Sequence, residues 1–267
     1  MARRLWFMLW ILAASALAAC GGGAPDIASL DGAEELGGVV RWNRDPYAIV
    51  FRAEVTGGDD TSVVRLNEIP LCTIYGDGRV VFPIANAGGF DDVVFEFLND
   101  QQIIDFIVYL TVDERIFTYE AGLDLQLPSA TSPVYERVTV AVNDRVHISD
   151  AFSNWESGAF DRMVQRCRAL SRQPARFEPS GAWLVAQQVE YRAMLPSVFW
   201  DHEASGLMFA EIAVANEKRW IEGPYLRILW NVLRSNAPDV QINEIDRSFN
   251  FALQVPGVTI DAPPAPQ

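Results

Sequence analysis

Between residues 46 and 172, hydrophobic and polar positions follow two periods, one of two residues and one of about 3.6 residues. The shorter period is typical of strands in a sheet, and the longer one is typical of amphipathic helices. The shorter period predicts a strand at 46–56, apolar and β-prone runs predict strands at 71–75 and 79–82, and further strands are predicted at 93–98, 136–142 and 145–148. The longer period predicts a helix that Asn99 or Asp100 caps and a second helix over 156–170.

Two pairs of these strands are joined by short turns that identify them as hairpins. Gly76-Asp77-Gly78 joins one pair, and an Asp-Gly sequence between β-prone runs is a strong hairpin signal. Asn143-Asp144 joins the other pair as a two-residue turn. Strands and helices do not alternate strictly along the chain. The pattern therefore predicts an α+β fold, with a mostly antiparallel sheet built from hairpins and with helices packed on one face.

The pattern after residue 176 is less regular. It predicts strands at 182–191, 240–245 and 248–255 and a helix over 224–234, which has Pro224 in its first turn. Residues 207–214 are apolar and fit either a strand or a helix, and residues 220–223 are expected to open a turn.

The composition changes near residue 175. The stretch 172–179 is rich in Pro and Arg and is either a domain boundary or a loop. We expect an α+β hairpin and helix domain over 45–175 and an α+β region over 176–260 that packs on it. Half of the residues are hydrophobic, so the chain is expected to bury a large core. The Pro-rich tail 261–267 is expected to be disordered.

A hydrophobic run of 13 residues, from Leu5 to Leu17, stands near the start of the chain. Arg3 and Arg4 precede it and small residues follow, which is the three-part layout of a secretory signal. A membrane-spanning helix needs about 20 apolar residues, so the run is too short to span a bilayer. The pattern predicts that residues 1–19 are a signal peptide.

The run ends in Leu17-Ala18-Ala19-Cys20, which resembles the lipobox of bacterial lipoproteins. The resemblance implies that Cys20 becomes the first residue of the mature chain and carries diacylglycerol through a thioether, with further acyl chains such as palmitate. The protein would then be held on the extracytoplasmic side of a bacterial membrane. The alternative is an ordinary signal cleaved after an Ala-x-Ala site, with Cys20 uninvolved. The Gly-, Ala- and acid-rich sequence after Cys20 predicts a flexible tether, which we extend over 20–44.

The segment IPLCTIYGDGRVVF carries a second resemblance, to a hairpin found in a group of uncharacterised secreted bacterial lipoproteins. The matching residues are Pro70, Tyr75-Gly76-Asp77-Gly78-Arg79-Val80 and Leu98. The resemblance covers roughly residues 45–172, and the segment LDLQLPSATSP departs from the pattern of the group. It implies the arrangement hairpin, helix, hairpin, helix and an envelope setting. It implies no activity.

The chain is acidic, with 35 Asp and Glu residues against 21 Lys and Arg residues and a net charge of −14. Nucleic-acid affinity depends on neutralising phosphates, so this balance excludes nucleic acid as the expected partner. The same charge opposes binding to an anionic lipid surface. The membrane is therefore expected to be a partner only through the lipid on Cys20.

Cys72 lies on a predicted strand and Cys167 on a predicted helix, and both are expected to face the core. In an exported protein they either form a disulfide or stay as two buried free thiols. The chain has no CxxC pair and two His residues, so no metal site and no cofactor are predicted.

The segment FWDHEASG places His202 between two carboxylates and close to Trp200. Such a His is a candidate general base, or else part of a polar loop. Trp200, His202, Trp220 and Tyr225 are candidates for a groove that binds a glycan or a peptide, and the aromatic residues are otherwise core. No GxSxG nucleophile motif is present. We expect a non-enzymatic binding or interaction module whose partner is an envelope protein, a peptide or a glycan. The alternative is an envelope hydrolase with a site near His202.

Overall fold

The computed structural model describes residues 40–58, 62–86, 91–122 and 133–266. Val39–Gln267 form one compact unit. The predicted signal peptide, Cys20 and the tether as far as residue 39 lie outside the described residues. In the described ranges, none of the helices has the length and apolar character needed to cross a membrane.

The described residues form strands and helices that alternate irregularly along the chain. The strands are β1 (Ile49–Gly57), β2 (Cys72–Tyr75), β3 (Arg79–Ala85), β4 (Asp91–Phe97), β5 (Val134–Val142), β6 (Arg145–Asp150), β7 (Ala175–Arg176), β8 (Gly181–Val189), β9 (Ser197–Phe199), β10 (Arg219–Glu222), β11 (Gln241–Glu244) and β12 (Arg247–Gln254). The helices are α1 (Asp100–Val112), α2 (Ala159–Arg168), α3 (His202–Ser205), α4 (Phe209–Ala215) and α5 (Gly223–Arg234). Two short 3-10 helices cover Val63–Asn67 and Ile116–Thr118.

The strands form two sheets. The first sheet has the order β6-β5-β1-β2-β3-β4-β7, and each neighbouring pair in it is antiparallel. The second sheet has the order β10-β8-β12-β11-β9, in which only the pair β9 and β11 is parallel. The α+β class and the mostly antiparallel pairing are thus confirmed.

Both predicted hairpins of the first sheet are confirmed. The β2–β3 hairpin turns at Gly78, which has a φ of 86° that suits glycine. The β5–β6 hairpin turns at Asn143 and Asp144, whose φ values of 53° and 58° match the two-residue turn that the sequence predicted.

Two expectations for the second half of the chain are settled by pairing and packing. The expected turn at 220–223 is wrong, because Arg219–Glu222 form β10 and pair with β8. The open alternative at 207–214 resolves as the helix α4, Phe209–Ala215. The sequence did not predict β7 and β9, which have two and three residues and no period long enough to detect.

Local signals fix where the helices begin. The Asn99 side chain accepts a hydrogen bond from the Gln102 amide at 2.9 Å, and the Gln102 side chain accepts one from the Asn99 amide at 3.0 Å. This capping box starts α1 where it was predicted. The helix α2 begins at Ala159, later than predicted, because Gly158 before it has a φ of 72° in the left-handed region.

Both faces of the central strands of the first sheet are buried. Ile74 and Val80 point into a first core, which contains residues of α1 and α2 such as Phe106 and Met163. The adjacent Tyr75 and Val81 point into a second core, which contains residues of the second sheet, α4 and α5. Successive residues of a strand face opposite sides, so burial on both sides requires an unbroken apolar run. All four residues of β2 are accordingly buried.

The folded unit begins earlier along the chain than the predicted tether boundary at residue 44. The Trp42 side chain belongs to the first core, and its indole Nε1 donates to the Gly76 carbonyl at 3.2 Å. The Arg44 guanidinium pairs with Asp100 at 2.7 Å. Residues 40–44 therefore pack on the domain. In the sequence, the presence of Trp42 distinguishes residues 40–44 from the Gly-rich segment that precedes them.

The predicted boundary at 175/176 falls within β7, at the edge of the first sheet. Phe177 directly follows this strand. Its ring lies 5.9 Å from Phe95 of the first sheet and 6.1 Å from Trp230 of α5. These aromatic contacts belong to the second core, which joins the first sheet to α5 at this point, and the division into two domains stays a prediction.

Candidate ligand-binding cleft

Trp200 and Tyr225, two of the predicted groove residues, lie together in the second core. Their rings are 5.9 Å apart, and the Trp200 ring also lies 5.5 Å from Phe209. The Trp200 indole is buried and donates to the Leu207 carbonyl at 2.9 Å. The Tyr225 hydroxyl donates to the Ala204 carbonyl at 2.6 Å. These contacts occupy the ring faces and the polar atoms of Trp200 and Tyr225 that a ligand would otherwise contact.

His202 is the first residue of the short helix α3, next to this pair. The carboxylate of the neighbouring Asp201 accepts a hydrogen bond from the Ala204 amide at 2.9 Å and so caps the helix. Among the described residues, no hydrogen bond or ion pair joins the His202 imidazole to Asp201 or Glu203. The arrangement that would orient a general base is therefore not formed here.

Trp220 lies apart from the other predicted groove residues, at the β10 edge of the second sheet. Its ring lies 5.3 Å from Trp183, and its indole donates to its neighbour Glu222 at 2.8 Å. A Cβ at Gly181 would come within 2.1 Å of the Trp220 ring, so glycine is required beneath it. Trp183 in turn donates to the Pro264 carbonyl at 2.9 Å, which places part of the predicted disordered tail against this aromatic pair.

The YGDGR hairpin is a packing element. The Gly76 amide donates to the Ala48 carbonyl at 2.8 Å, and a Cβ at Gly76 would lie 2.1 Å from the Asn43 carbonyl. The Arg79 guanidinium lies 5.0 Å from the centre of the Tyr75 ring and donates to the Pro46 carbonyl at 3.0 Å. The turn thus holds the incoming segment 42–48 against the sheet.

A cleft of about 460 Å³ opens elsewhere, between the first sheet and the end of α5. Its lining comes from the end of β1, from most of the segment 64–71, from Asp91, from the last turn of α5 with the residues after it, and from Ile260. We refer to this space as the cleft. Clefts of about 300–1,000 Å³ are typical of small-molecule sites.

Asn67 fixes the wall of the cleft that the 3-10 helix forms. Its side chain donates to the Phe251 carbonyl and accepts from the Leu253 amide, each at 2.9 Å. The pairing of β12 with β11 ends at Phe249. Asn67 therefore supplies hydrogen-bond partners to β12 backbone groups that β11 does not reach. The following residue, Glu68, accepts the Ile260 amide at 3.0 Å through its carbonyl.

Arg234 is the buried cation of the cleft lining, with the residue only 8% exposed. Its Nη2 donates to the Asn67 carbonyl at 3.3 Å, and its guanidinium carbon lies 4.7 Å from the centre of the Trp230 ring. Its Nε is buried and has no hydrogen-bond partner. Burial lowers the pKa of Arg234 to about 10, while Asp91 and Asp92 act in the opposite direction. The guanidinium is therefore protonated at neutral pH.

The carboxylates near Arg234 have other contacts. The buried Glu54 pairs with Arg137, with Nη2 and Oε1 2.5 Å apart. Glu68 lies 3.7 Å from Arg65, and Asp92, beside the cleft residue Asp91, pairs with Arg176 at 2.9 Å. Arg234 forms no ion pair with a described carboxylate. It is thus a buried cation with unused donors in a cleft whose lining combines apolar residues with the carboxylates of Glu54, Glu68 and Asp91.

The functional chemistry has to be derived from these residues. No protein-family model, curated protein or solved structure matches the chain. Within the described ranges, His, Cys, Asp and Glu residues form no group of three or more that could hold a metal ion.

Sequence reasoning missed the cleft because its lining residues come from separate segments, none of which carries a motif. One local signal was available. Leu226, Leu229, Trp230 and Leu233 mark the buried stripe of α5, and Arg234 lies four residues after Trp230 on this stripe. A charged residue at a buried helical position indicates either a structural ion pair or a binding site.

Proposed function

We propose that this chain is a lipid-anchored protein of a bacterial envelope that acts as a binding module, and that its ligand occupies the cleft at Arg234. The observation that carries the binding role is a cleft of about 460 Å³ whose wall contains the buried guanidinium of Arg234, a cation that forms no ion pair with a described carboxylate. Clefts of this size that combine apolar residues with placed polar groups are typical of ligand sites. The ligand is a small molecule or a segment of an envelope protein, peptide or glycan that the cleft can admit.

The arrangement of cysteines supports export and anchoring. The chain has three Cys residues, and two of them, Cys72 and Cys167, are joined in a disulfide that is buried in the first core. Of the two states that the sequence left open, free thiols or a disulfide, the structure has the disulfide. Disulfides persist in oxidising compartments outside the cytoplasm. Cys20, the remaining cysteine, is the one within the lipobox-like sequence.

We also infer that α1 and α2 cover one face of the first sheet, as the sequence predicted. Residues of both helices share the first core with Phe51, Ile74 and Val80 of the sheet. The opposite face contributes Tyr75 and Val81 to the second core. Because both faces of the sheet are covered, we expect a ligand to bind at its margins, where the cleft lies.

The anchor is tested by expressing the full chain with Cys20→Ser in a bacterium that processes lipoproteins. The variant should lose incorporation of labelled palmitate and move from the membrane fraction to the soluble fraction. A variant with Cys72→Ala and Cys167→Ala serves as the control, because it loses the disulfide and should still incorporate palmitate. Full membrane retention of the Cys20→Ser chain would contradict the anchoring proposal.

The binding role is tested by a ligand-detected NMR screen of small fragments against the full chain in detergent. The variant Val64→Trp places an indole in the wall of the cleft and should abolish the binding of most hits. The control is Val112→Trp, at a position that is 63% exposed at the end of α1. If the hits bind both variants equally well, the cleft is not the binding site.

A further inference from the structure

Arg234 has more donors than the protein uses. A guanidinium carries five N–H donors, and within the described part of the chain this one forms a single hydrogen bond, from Nη2 to the Asn67 carbonyl at 3.3 Å. Its Nε is buried without a partner. Buried donors are nearly always satisfied in folded proteins, so such an exception needs an explanation. Nε itself is closed off from solvent, so a ligand acceptor in the cleft would reach the terminal nitrogens of Arg234, which lines this space.

The charge of Arg234 is only partly compensated by the protein. Its position in the last turn of α5 is favourable, because the carbonyl end of a helix carries a partial negative charge. Asp91 and Asp92 are close enough to favour the charged form of Arg234. Asp92, however, is already paired with Arg176 at 2.9 Å. A buried cation without a direct counter-ion favours the binding of an anion.

Resting on the proposal that the cleft binds a ligand, we propose that the ligand is a small monocarboxylate with an aliphatic body, and that its carboxylate pairs with Arg234. The planar guanidinium matches a carboxylate in a two-point hydrogen-bonded pair. The aliphatic body lies against Ile69, Leu233 and Ile260, which are apolar residues of the same lining.

The other charges in the lining favour a single negative charge on the ligand. Glu54, Glu68 and Asp91 contribute carboxylates to the lining of the cleft. Each of them repels a dianion such as phosphate more strongly than a monoanion. A free aliphatic acid and the carboxyl terminus of a peptide share the favoured chemistry, and the experiment distinguishes these two sources.

The experiment compares acids with their amides by isothermal titration of the full chain in detergent. The probes are 4-methylpentanoic acid, a blocked tripeptide that ends in leucine, and the carboxamide of each. Hydrogen bonds to charged groups contribute enough that each acid that binds should do so about tenfold more tightly than its amide. Tighter binding of 4-methylpentanoic acid indicates a free acid, and tighter binding of the tripeptide indicates a peptide terminus.

Substitution at Arg234 tests the assignment to this side chain. Arg234→Gln should abolish the preference for the acid over the amide. Arg227→Gln, at an exposed position of the same helix, should retain the preference. A second measurement does not depend on the folding of Arg234→Gln: the Nε–H resonance of Arg234 in the wild-type chain should shift with the acid and not with the amide.

Two results would overturn the inference. One is equal affinity of acid and amide, and the other is the absence of binding by either acid at its solubility limit. Neither result contradicts the proposed binding role, provided that screened fragments still bind the wild-type chain and lose affinity for the Val64→Trp variant. The binding role fails independently if that variant leaves all fragment affinities unchanged.

Discussion

Cys72 and Cys167 are joined by a disulfide that links β2 of the first sheet to α2 across a separation of 95 residues. Both side chains are fully buried in the first core. The bond therefore closes a long loop in the unfolded chain while adding no exposed surface to the folded one. A loop of this length gives a disulfide one of the larger stabilising effects expected from chain entropy.

Replacing both cysteines by alanine should lower the free energy of unfolding by about 2–5 kcal/mol, because the unfolded chain regains the entropy that the closed loop removes. Urea unfolding followed by tryptophan fluorescence measures this change. As a control, a reductant should lower the stability of the wild-type chain and leave that of the double variant unchanged. Equal urea midpoints for the wild-type chain with and without reductant would contradict the prediction.

Gly76→Ala should destabilise the fold by about 1–3 kcal/mol, which is the usual cost of forcing an extra methyl group into a packed site. The added Cβ would lie 2.1 Å from the Asn43 carbonyl and 2.5 Å from the Asp45 carbonyl, so the segment 42–48 would have to move. Thermal unfolding by circular dichroism measures the effect.

The control for this substitution is Gly206→Ala, where nothing lies within 4 Å of the added Cβ. Gly206 has a φ of 64°, so alanine there costs only the strain of a left-handed backbone, about 1 kcal/mol. Hydrogen exchange separates the two effects. Gly76→Ala should expose the Gly76 and Ala48 amides, whereas Gly206→Ala should leave them protected. If the amide of residue 76 stays protected in Gly76→Ala, the clash of the added Cβ with the Asn43 carbonyl is relieved without loss of the hydrogen bond to the Ala48 carbonyl.

The features predicted correctly from the sequence are those whose causes lie within a few residues. The turns at Asp77-Gly78 and Asn143-Asp144 and the capping box at Asn99 with Gln102 are local chemistry, and all appear where expected. β10 was mistaken for a turn because Arg219–Glu222 is a strand only through its pairing with β8, which lies far away in the sequence. β9 is likewise a strand only through its parallel pairing with β11.

The candidate site was predicted poorly for a related reason. Trp200 and Tyr225 are large aromatic residues, and Trp200 is close in the sequence to His202, which together favour a groove; the structure places both in contacts with their own core. For Arg234 the sequence pattern predicts only a place at the end of the helix 224–234. The position of its guanidinium in the cleft depends on a hydrogen bond to the carbonyl of Asn67, which is 167 residues away in the sequence. Burial of a charged side chain is a property of the assembled core, and periodicity alone does not show it.

Glu114→Gln should reduce stability at pH 7 and have a smaller effect in acid. The Glu114 side chain is 6% exposed and receives two hydrogen bonds of 2.8 Å from Arg162 and one from the Tyr109 hydroxyl. The bonds from Arg162 are the main cause of the lowered pKa of Glu114, and Tyr109 adds to it. Since the folded pKa is depressed, this stabilisation is complete above the unfolded value of about 4.3 and is lost as the pH falls through the folded value.

Urea unfolding at pH 7 and at about pH 3 measures this effect, and the difference between wild type and variant should narrow at the lower pH. Glu156→Gln is the matched control. Glu156 lies 3.9 Å from the same Arg162 but is 78% exposed, so its loss should change little at either pH. A constant difference between wild type and Glu114→Gln across this range would show that packing, and not charge, explains the contribution of Glu114.

Asn67→Ala should couple a loss of stability to a loss of binding. The buried Asn67 side chain satisfies the Phe251 carbonyl and the Leu253 amide, and leaving two buried backbone groups unpaired should cost about 2–4 kcal/mol. The substitution also frees the 3-10 helix whose backbone carbonyl holds Arg234. Calorimetry should therefore give weaker binding of any cleft ligand even at a temperature where the variant is fully folded. Ser248→Ala, which removes one hydrogen bond of 2.8 Å to the Asn243 side chain, tests the specificity of this coupling. Ser248 lies on β12 and does not line the cleft, so the loss of this bond should lower stability by about 1 kcal/mol and leave the position of Arg234, and hence the affinity, nearly unchanged.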